Sequence, residues 1–171
     1  MLYREAMRTL AAFAIVLASA VIPSAQSSSA QPPNAAVCAL FSADDAAKIM
    51  GGPMKPKPNM GATVCIYELT EGSGSASLTV IKSANQAAED LRWASIKETR
   101  HLQVTQKNTK PLAGVGDEAW FTGNLEKGKA GVSAIIARRG NAHFVLDVMT
   151  LDYRASPEQM TAIAKKVAAS L

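Results

Sequence analysis

Leu112-Ala-Gly-Val-Gly-Asp-Glu-Ala-Trp-Phe121, Val132-Ser-Ala-Ile-Ile-Ala137 and Ala142-His-Phe-Val-Leu-Asp-Val-Met149 decide the fold. They form one block, Leu112 to Thr150, interrupted from Gly123 to Gly131 and again at Arg139-Gly-Asn141. Gly-Asn between β-forming runs signals a two-residue hairpin, because both residues tolerate the positive φ of primed turns. The block reads as a strand followed by a hairpin, with Glu126 to Gly131 as its first, mobile turn. Trp120 and the Phe144, Leu146, Val148 face are expected to pack against helices.

Gly114-Val-Gly116-Asp-Glu-Ala119 matches the loose G-x-G-x-x-A form of the dinucleotide fingerprint. That motif binds a pyrophosphate only where it follows a strand and opens a helix. Here it precedes Trp120-Phe121 and a sheet. It reads instead as a tight turn that aims the next strand, with Asp117 bonding the turn backbone. No cofactor is expected.

Upstream, Thr63 to Leu69 is a strand by its β-branched content. Cys65, Tyr67 and Leu69 face the core side, and Val64, Ile66 and Glu68 point the other way. Glu71 to Ser75 is a flexible turn, and Ala76 to Lys82 completes a hairpin. Before it, Phe41 to Met50 is a short helix, capped by Ser42 with Asp45 at the third helical position and stopped by Gly51-Gly52-Pro53. Pro53 to Ala62 carries prolines at 53, 56 and 58 and is not expected to be regular structure. With Lys55 and Lys57 exposed, it is either a contact loop or an ordinary connector.

Ser83-Ala-Asn-Gln86 has the form of a capping box and opens a second helix. Its main stripe is Ala84, Ala87, Ala88, Leu91, Ala94 and Ser95, a small surface that lets the helix lie close to the sheet. Trp93 and Ile96 fall off that stripe. They are either an exposed apolar contact surface or are covered by another segment. Leu102 to Gln106 alternates weakly, as a short strand would, and Lys107 to Pro111 reads as a connector. The last helix opens at Ser156-Pro157-Glu158-Gln159 and carries Met160, Ile163, Ala164, Val167 and Leu171 at helical spacing. The hairpins force antiparallel pairing, and strands and helices do not alternate one for one. The expected fold is α+β: a single antiparallel β-sheet with about three helices packed mainly on one face.

At the amino end, Arg4 and Arg8 precede an uncharged apolar run, Leu10 to Ile22, then Pro23 and small residues. This is the anatomy of a secretory signal over residues 1–27, shorter than a comfortable transmembrane span. Residues 28–36, rich in Ser, Gln, Pro and Asn, read as a disordered leader. Residues 37–171 are expected to form one domain with no transmembrane segment, exported to the periplasm or secreted. An exported chain with two cysteines, Cys38 and Cys65, is expected to oxidise them, stapling the first helix to the first strand. The formal charge of the whole chain is +4. Lys and Arg are scattered without a run and aromatics are few, which argues against nucleic acid.

The inventory of chemistry is thin. His143 and Asp147 share a strand face but stand about 13 Å apart along an extended strand, too far for a dyad or a shared metal. No zinc-ligand spacing and no nucleophile elbow is present. Asp44-Asp45 belongs to a helix start and Asp117-Glu118 to a turn, so neither pair is an acid/base couple. No catalytic, cofactor or metal residues are assigned.

Cys38, Leu40, Phe41, Ser42, Asp45 and Gly51, then Cys65 and Tyr67, then Gly114, Gly116, Asp117, Glu118, Ala119 and Trp120 together carry a resemblance. The chain resembles small exported bacterial domains of unknown function that include actinobacterial cell-envelope lipoproteins. It is similar, more distantly, to extracellular sensor domains of bacterial Ser/Thr kinases and to the PsbP-like fold. The resemblance implies a helix-to-strand disulfide and an antiparallel sheet backed by helices. It transfers no catalytic residue, and this chain lacks the lipobox of the lipoprotein members.

The expectation is a non-enzymatic binding or sensor-like module of the cell envelope, engaging an envelope protein or a small apolar ligand between sheet and helices. The alternative is an assembly accessory that uses Trp93, Ile96, Lys55 and Lys57 as a contact surface. An enzyme with a dispersed site is the less favoured third.

Overall fold

Seven strands pair in the order β1-β2-β3-β7-β6-β5-β4, every neighbour antiparallel, in a computed structural model that describes residues 35–58, 61–100, 102, 108–123, 131–150 and 156–171. The strands are β1 (Met54–Pro56), β2 (Val64–Leu69), β3 (Gly74–Lys82), β4 (Thr109–Pro111), β5 (Glu118–Gly123), β6 (Gly131–Arg139) and β7 (Ala142–Thr150). The helices are α1 (Ala35–Leu40), α2 (Ala43–Met50), α3 (Gln86–Thr99) and α4 (Pro157–Ala169). The secretory signal and most of the leader, all of the strand expected at Leu102 to Gln106 except Leu102, and the turn after Gly123 lie outside the described residues. The first described element, α1, starts at Ala35.

The hairpin expected at Arg139-Gly-Asn141 is present, and β6 and β7 stand near the middle of the sheet. Strands covered on both faces lose the apolar/polar alternation, which is why both read as continuous apolar runs. On the first face, Cys65, Ala76, Leu78, Ala119, Phe121, Ile135, Ala137, Phe144, Leu146 and Val148 pack beneath α1, α2 and α4. Among the described residues, α3 is the one helix against the second face, where Trp93 meets Leu102, Ala134, Ile136 and Val145.

Local chemistry sets the helices on the first face. Ser42 and Asp45 form a reciprocal capping box, with Asp45 N–H donating to Ser42 Oγ at 3.2 Å and Ser42 N–H donating to Asp45 Oδ2 at 3.0 Å. Gly51 ends α2 in the left-handed conformation, φ 71°. Lys166 Nζ of α4 reaches the same Asp45 Oδ2 at 2.6 Å, tying the two helices. The Cys38–Cys65 disulfide joins α1 to β2. Beside it, Tyr67 Oη–H donates to the Phe41 carbonyl at 3.1 Å, with the two rings edge to face. Ser156 caps α4 as expected, but Leu171 lies beyond the helix and is exposed.

The proline-rich run after α2 is not irregular throughout. Met54–Pro56 is an edge strand, and so is Thr109–Pro111 within the expected connector. The hydrogen-bond phase explains how prolines are accommodated. Lys57 N–H donates to the Ile66 carbonyl and Thr70 N–H to the Pro53 carbonyl, so residues 53, 55 and 57 bond inward to β2. Pro56 and Pro58 fall on the alternate, outward positions, where an N–H would face away from the sheet. On the other edge, Gly123 N–H donates to Asn108 and Leu112 N–H to Ala119, which places Pro111 outward as well. Proline lacks a donor exactly where an edge would otherwise offer one to another strand.

Helix α3 is turned the opposite way from its expected stripe. Its cap is Asn85, whose side chain accepts from Ala88 N–H at 2.9 Å, and not Ser83. The Ala84, Ala87, Ala88, Leu91, Ala94, Ser95 stripe faces outward, and Glu89, Trp93, Ile96 and Lys97 face the sheet. Periodicity counts apolar residues, but burial is decided by area, and one Trp outweighs several Ala. Trp120 packs against a helix as expected, but on the other face from Phe144, Leu146 and Val148: Ala119 and Phe121 join the face under α2 and α4, whereas Trp120 packs with Trp93 on the α3 side.

Candidate binding face

The second face of the sheet consists of cross-strand rows set by the register. The outermost row runs Lys55, Glu68, Ser75, Met149, Val132 across β1, β2, β3, β7 and β6. The next runs Ile66, Ser77, Asp147, Ala134, Thr122, Thr109. Then come Val64, Thr79, Val145, Ile136, Trp120, and last Ile81, His143, Arg138, Glu118. Among the described residues, helix α3 covers the other three rows on the β5–β7 side, through Ala134, Ile136 and His143, and leaves Met149 and Val132 of the outermost row exposed.

Two polar clusters fasten α3. In the first, Glu89 is fully buried between Ser83, whose hydroxyl donates to Oε2 at 2.6 Å, and His143, whose Nδ1 lies 2.8 Å from Oε1. His143 is 3 % exposed, so this Ser–Glu–His set is a buried tie between helix and sheet. The second gathers around Glu118. Trp93 Nε1–H donates to its Oε2 at 2.7 Å, Trp120 Nε1–H to its Oε1 at 3.1 Å, and Lys97 Nζ lies 3.3 Å from Oε1. Burial pushes the Glu118 carboxyl up, but hydrogen bonds from Trp120, Trp93 and Lys97 outweigh it and hold the group below its ordinary value. Arg138 stacks over the Trp93 ring, 5.8 Å from its centroid, and donates to Asp90 at 2.7 Å.

These contacts explain the glycine-rich motif. Gly116 has φ 62°, and a Cβ there would sit 2.2 Å from the Arg138 carbonyl oxygen, so the turn needs glycine on both counts. Asp117 Oδ2 accepts from Gly140 N–H at 2.7 Å, and Arg139 donates to Oδ1 at 2.8 Å. Asp117 therefore braces the turn of the β6–β7 hairpin, not its own. The Gly140 backbone donor, ahead of Arg139, lowers its carboxyl.

The residues proposed for contact separate. Trp93 is 2 % exposed and offers no surface; the expectation of an exposed contact there is corrected by its packing against β6 and β7 and its bond to Glu118. Ile96 is half-buried against the same cluster. Lys55 and Lys57 are exposed, each 3.5 Å from one carboxylate oxygen of Glu68. His143 and Asp147 share a face but are not brought together: His143 meets Glu89, and Asp147 lies two rows away beside Ser77 and Ala134. Burial raises the Asp147 carboxyl, with Arg100 opposing that shift in part.

Two features are new at the level of structure. The Glu89–His143 pair joins residues 54 apart in the chain, and only the helical spacing of Glu89 and Trp93 hints at a shared buried side. The other is the open row. Met149 and Val132 are direct cross-strand partners, 53 % and 59 % exposed. Beside them a shallow depression of about 370 Å³ is lined by Lys55, Lys57, Glu68, Ser75 and Met149, with Leu69, Thr70, Gly72, Ser73 and Gly74. Among the described residues, no group of three or more His, Cys, Asp or Glu is placed to hold a metal ion, and no helix is long and apolar enough to cross a membrane. The chain matches no protein-family model, no curated protein and no solved structure.

Proposed function

We propose that the protein is an exported, non-enzymatic binding or sensor-like module of the cell envelope, and that it binds on the uncovered part of its second sheet face. The observation that carries this reading is the pair Met149 and Val132, opposed on adjacent strands and left exposed where α3 stops short. Apolar side chains paired on an open sheet face, rimmed by charge, mark a contact surface more often than an isolated exposed residue does. The Cys38–Cys65 disulfide favours an oxidising compartment, in keeping with the apolar amino-terminal run and the resemblance to small exported bacterial domains. The titratable groups nearest to an acid/base role, Glu89 and His143, are buried against each other.

A second reading, an assembly accessory, is favoured by Leu91, 77 % exposed on the outward side of α3. One experiment separates the two. A photo-crosslinking residue is placed at position 149 or at position 91 of the full chain in its native envelope. A discrete product from 149 alone supports the binding-face reading, product from 91 alone supports the accessory reading, and none from either contradicts both.

A further inference from the structure

The open row has a direction. Lys55, at the edge of the sheet, is followed by Glu68, Ser75, Met149 and Val132, so the row passes from a Lys–Glu ion pair through hydroxyl to apolar. Four inter-strand spacings separate its ends, about 19 Å. At the cationic end, Lys55 and Lys57 share the single carboxylate of Glu68, both at 3.5 Å, so that among the described residues two ammonium groups meet one carboxylate. The depression lies over this end and reaches Met149. Pro56, Pro58 and Pro111 remove outward donors from both sheet edges, so a ligand gains more on the face than along an edge.

We infer that this row binds a single-chain amphiphile with one anionic head, a long-chain carboxylate. Its head replaces Glu68 as the partner of Lys55 and Lys57, and its chain lies across Met149 towards Val132. The inference rests on the proposed binding face and adds the class of ligand. The charge pattern selects the head: an anion meets two ammonium groups, whereas a cationic or neutral head finds the carboxylate already occupied by two lysines. The row's length selects a long chain over a short one.

Glu68 competes with the ligand in this arrangement, which makes the test sharp. Hexadecanoate is titrated into the full chain below its micelle-forming concentration, alongside hexadecanol and acetate. Hexadecanoate is expected to bind, and hexadecanol about tenfold more weakly, the scale of one lost charge-assisted hydrogen bond. Acetate is expected not to bind. Lys55→Gln with Lys57→Gln weakens hexadecanoate about tenfold, and Glu68→Gln tightens it, a gain that a purely structural role for these surface groups does not produce. Urea midpoints of the variants verify folding. Equal binding of hexadecanoate and hexadecanol overturns the anionic head while leaving an apolar binding face standing. Indifference to the lysine changes, weakening by Glu68→Gln, binding only to anionic phospholipid vesicles, or no binding overturns the inference.

Discussion

Glu118 shows how one side chain can order a whole layer. Its two oxygens take both indole N–H groups of the chain, from Trp93 and Trp120, together with Lys97. Glu118→Ala leaves the Trp93 donor buried without its partner, and the expected loss is about 1–3 kcal/mol in urea denaturation. The carboxylates also divide by sign. Burial pushes Asp45 up but its bonds to Lys166 and Ser42 prevail, and Glu118 follows the same pattern, so both lie below their ordinary values when folded. They bind fewer protons folded than unfolded, so their contribution is full above the unfolded value and is lost as pH falls through the folded one. Asp147 is raised and behaves oppositely: from its ordinary value upward to its folded value, the folded state holds the proton more tightly, and stability falls as pH rises. Asp147→Asn is expected to raise the urea midpoint at neutral pH and to leave it unchanged well below the ordinary carboxylate range. At this scale the sequence was legible for caps, as with Ser42, Asp45 and Ser156, whose partners lie within one turn. It was silent on Glu118 and Glu89 and gave Asp117 the wrong turn, because their partners come from other elements.

Among the elements, α3 and the edge strands carry the lesson. The Ala-rich stripe of α3 follows helical periodicity, yet Trp93 and Glu89 point inward because the helix is positioned by one large ring and two carboxylate contacts. Trp93→Ala is expected to cost about 3–5 kcal/mol, and Leu91→Ala, on the outward side, less than about 0.5 kcal/mol. Equal losses would mean that α3 presents its other side to the sheet. At the edges, prolines read in sequence as breakers, because phase relative to a partner strand cannot be seen without the partner. Their outward positions in the ladder reconcile them with a strand. Restoring donors with Pro56→Thr, Pro58→Thr and Pro111→Thr is expected to make the protein associate with rising concentration in light scattering, relative to the unchanged chain.

For the whole molecule, the fold class was legible because the hairpin at Gly140-Asn141 and the alternation in β2 and β3 are local signals. What was not legible is the pairing of β3 with β7, which joins the two hairpin regions into one sheet and sets the cross-strand rows. Non-local register creates the open face, so Met149 and Val132 read in sequence only as members of apolar runs. The disulfide spans a sequence separation of 27, and its removal by Cys38→Ser with Cys65→Ser is expected to cost about 3–4 kcal/mol in the chain-entropy account. The proposed binding face lies away from the bridge, on the opposite side of the sheet. The most direct measurement is the product yield from a photo-crosslinking residue at position 149, with and without Val132→Glu. A discrete product that falls about tenfold when the charge is placed on its cross-strand neighbour, at unchanged thermal stability, is the predicted result. The same yield in both chains would contradict the assignment of this face.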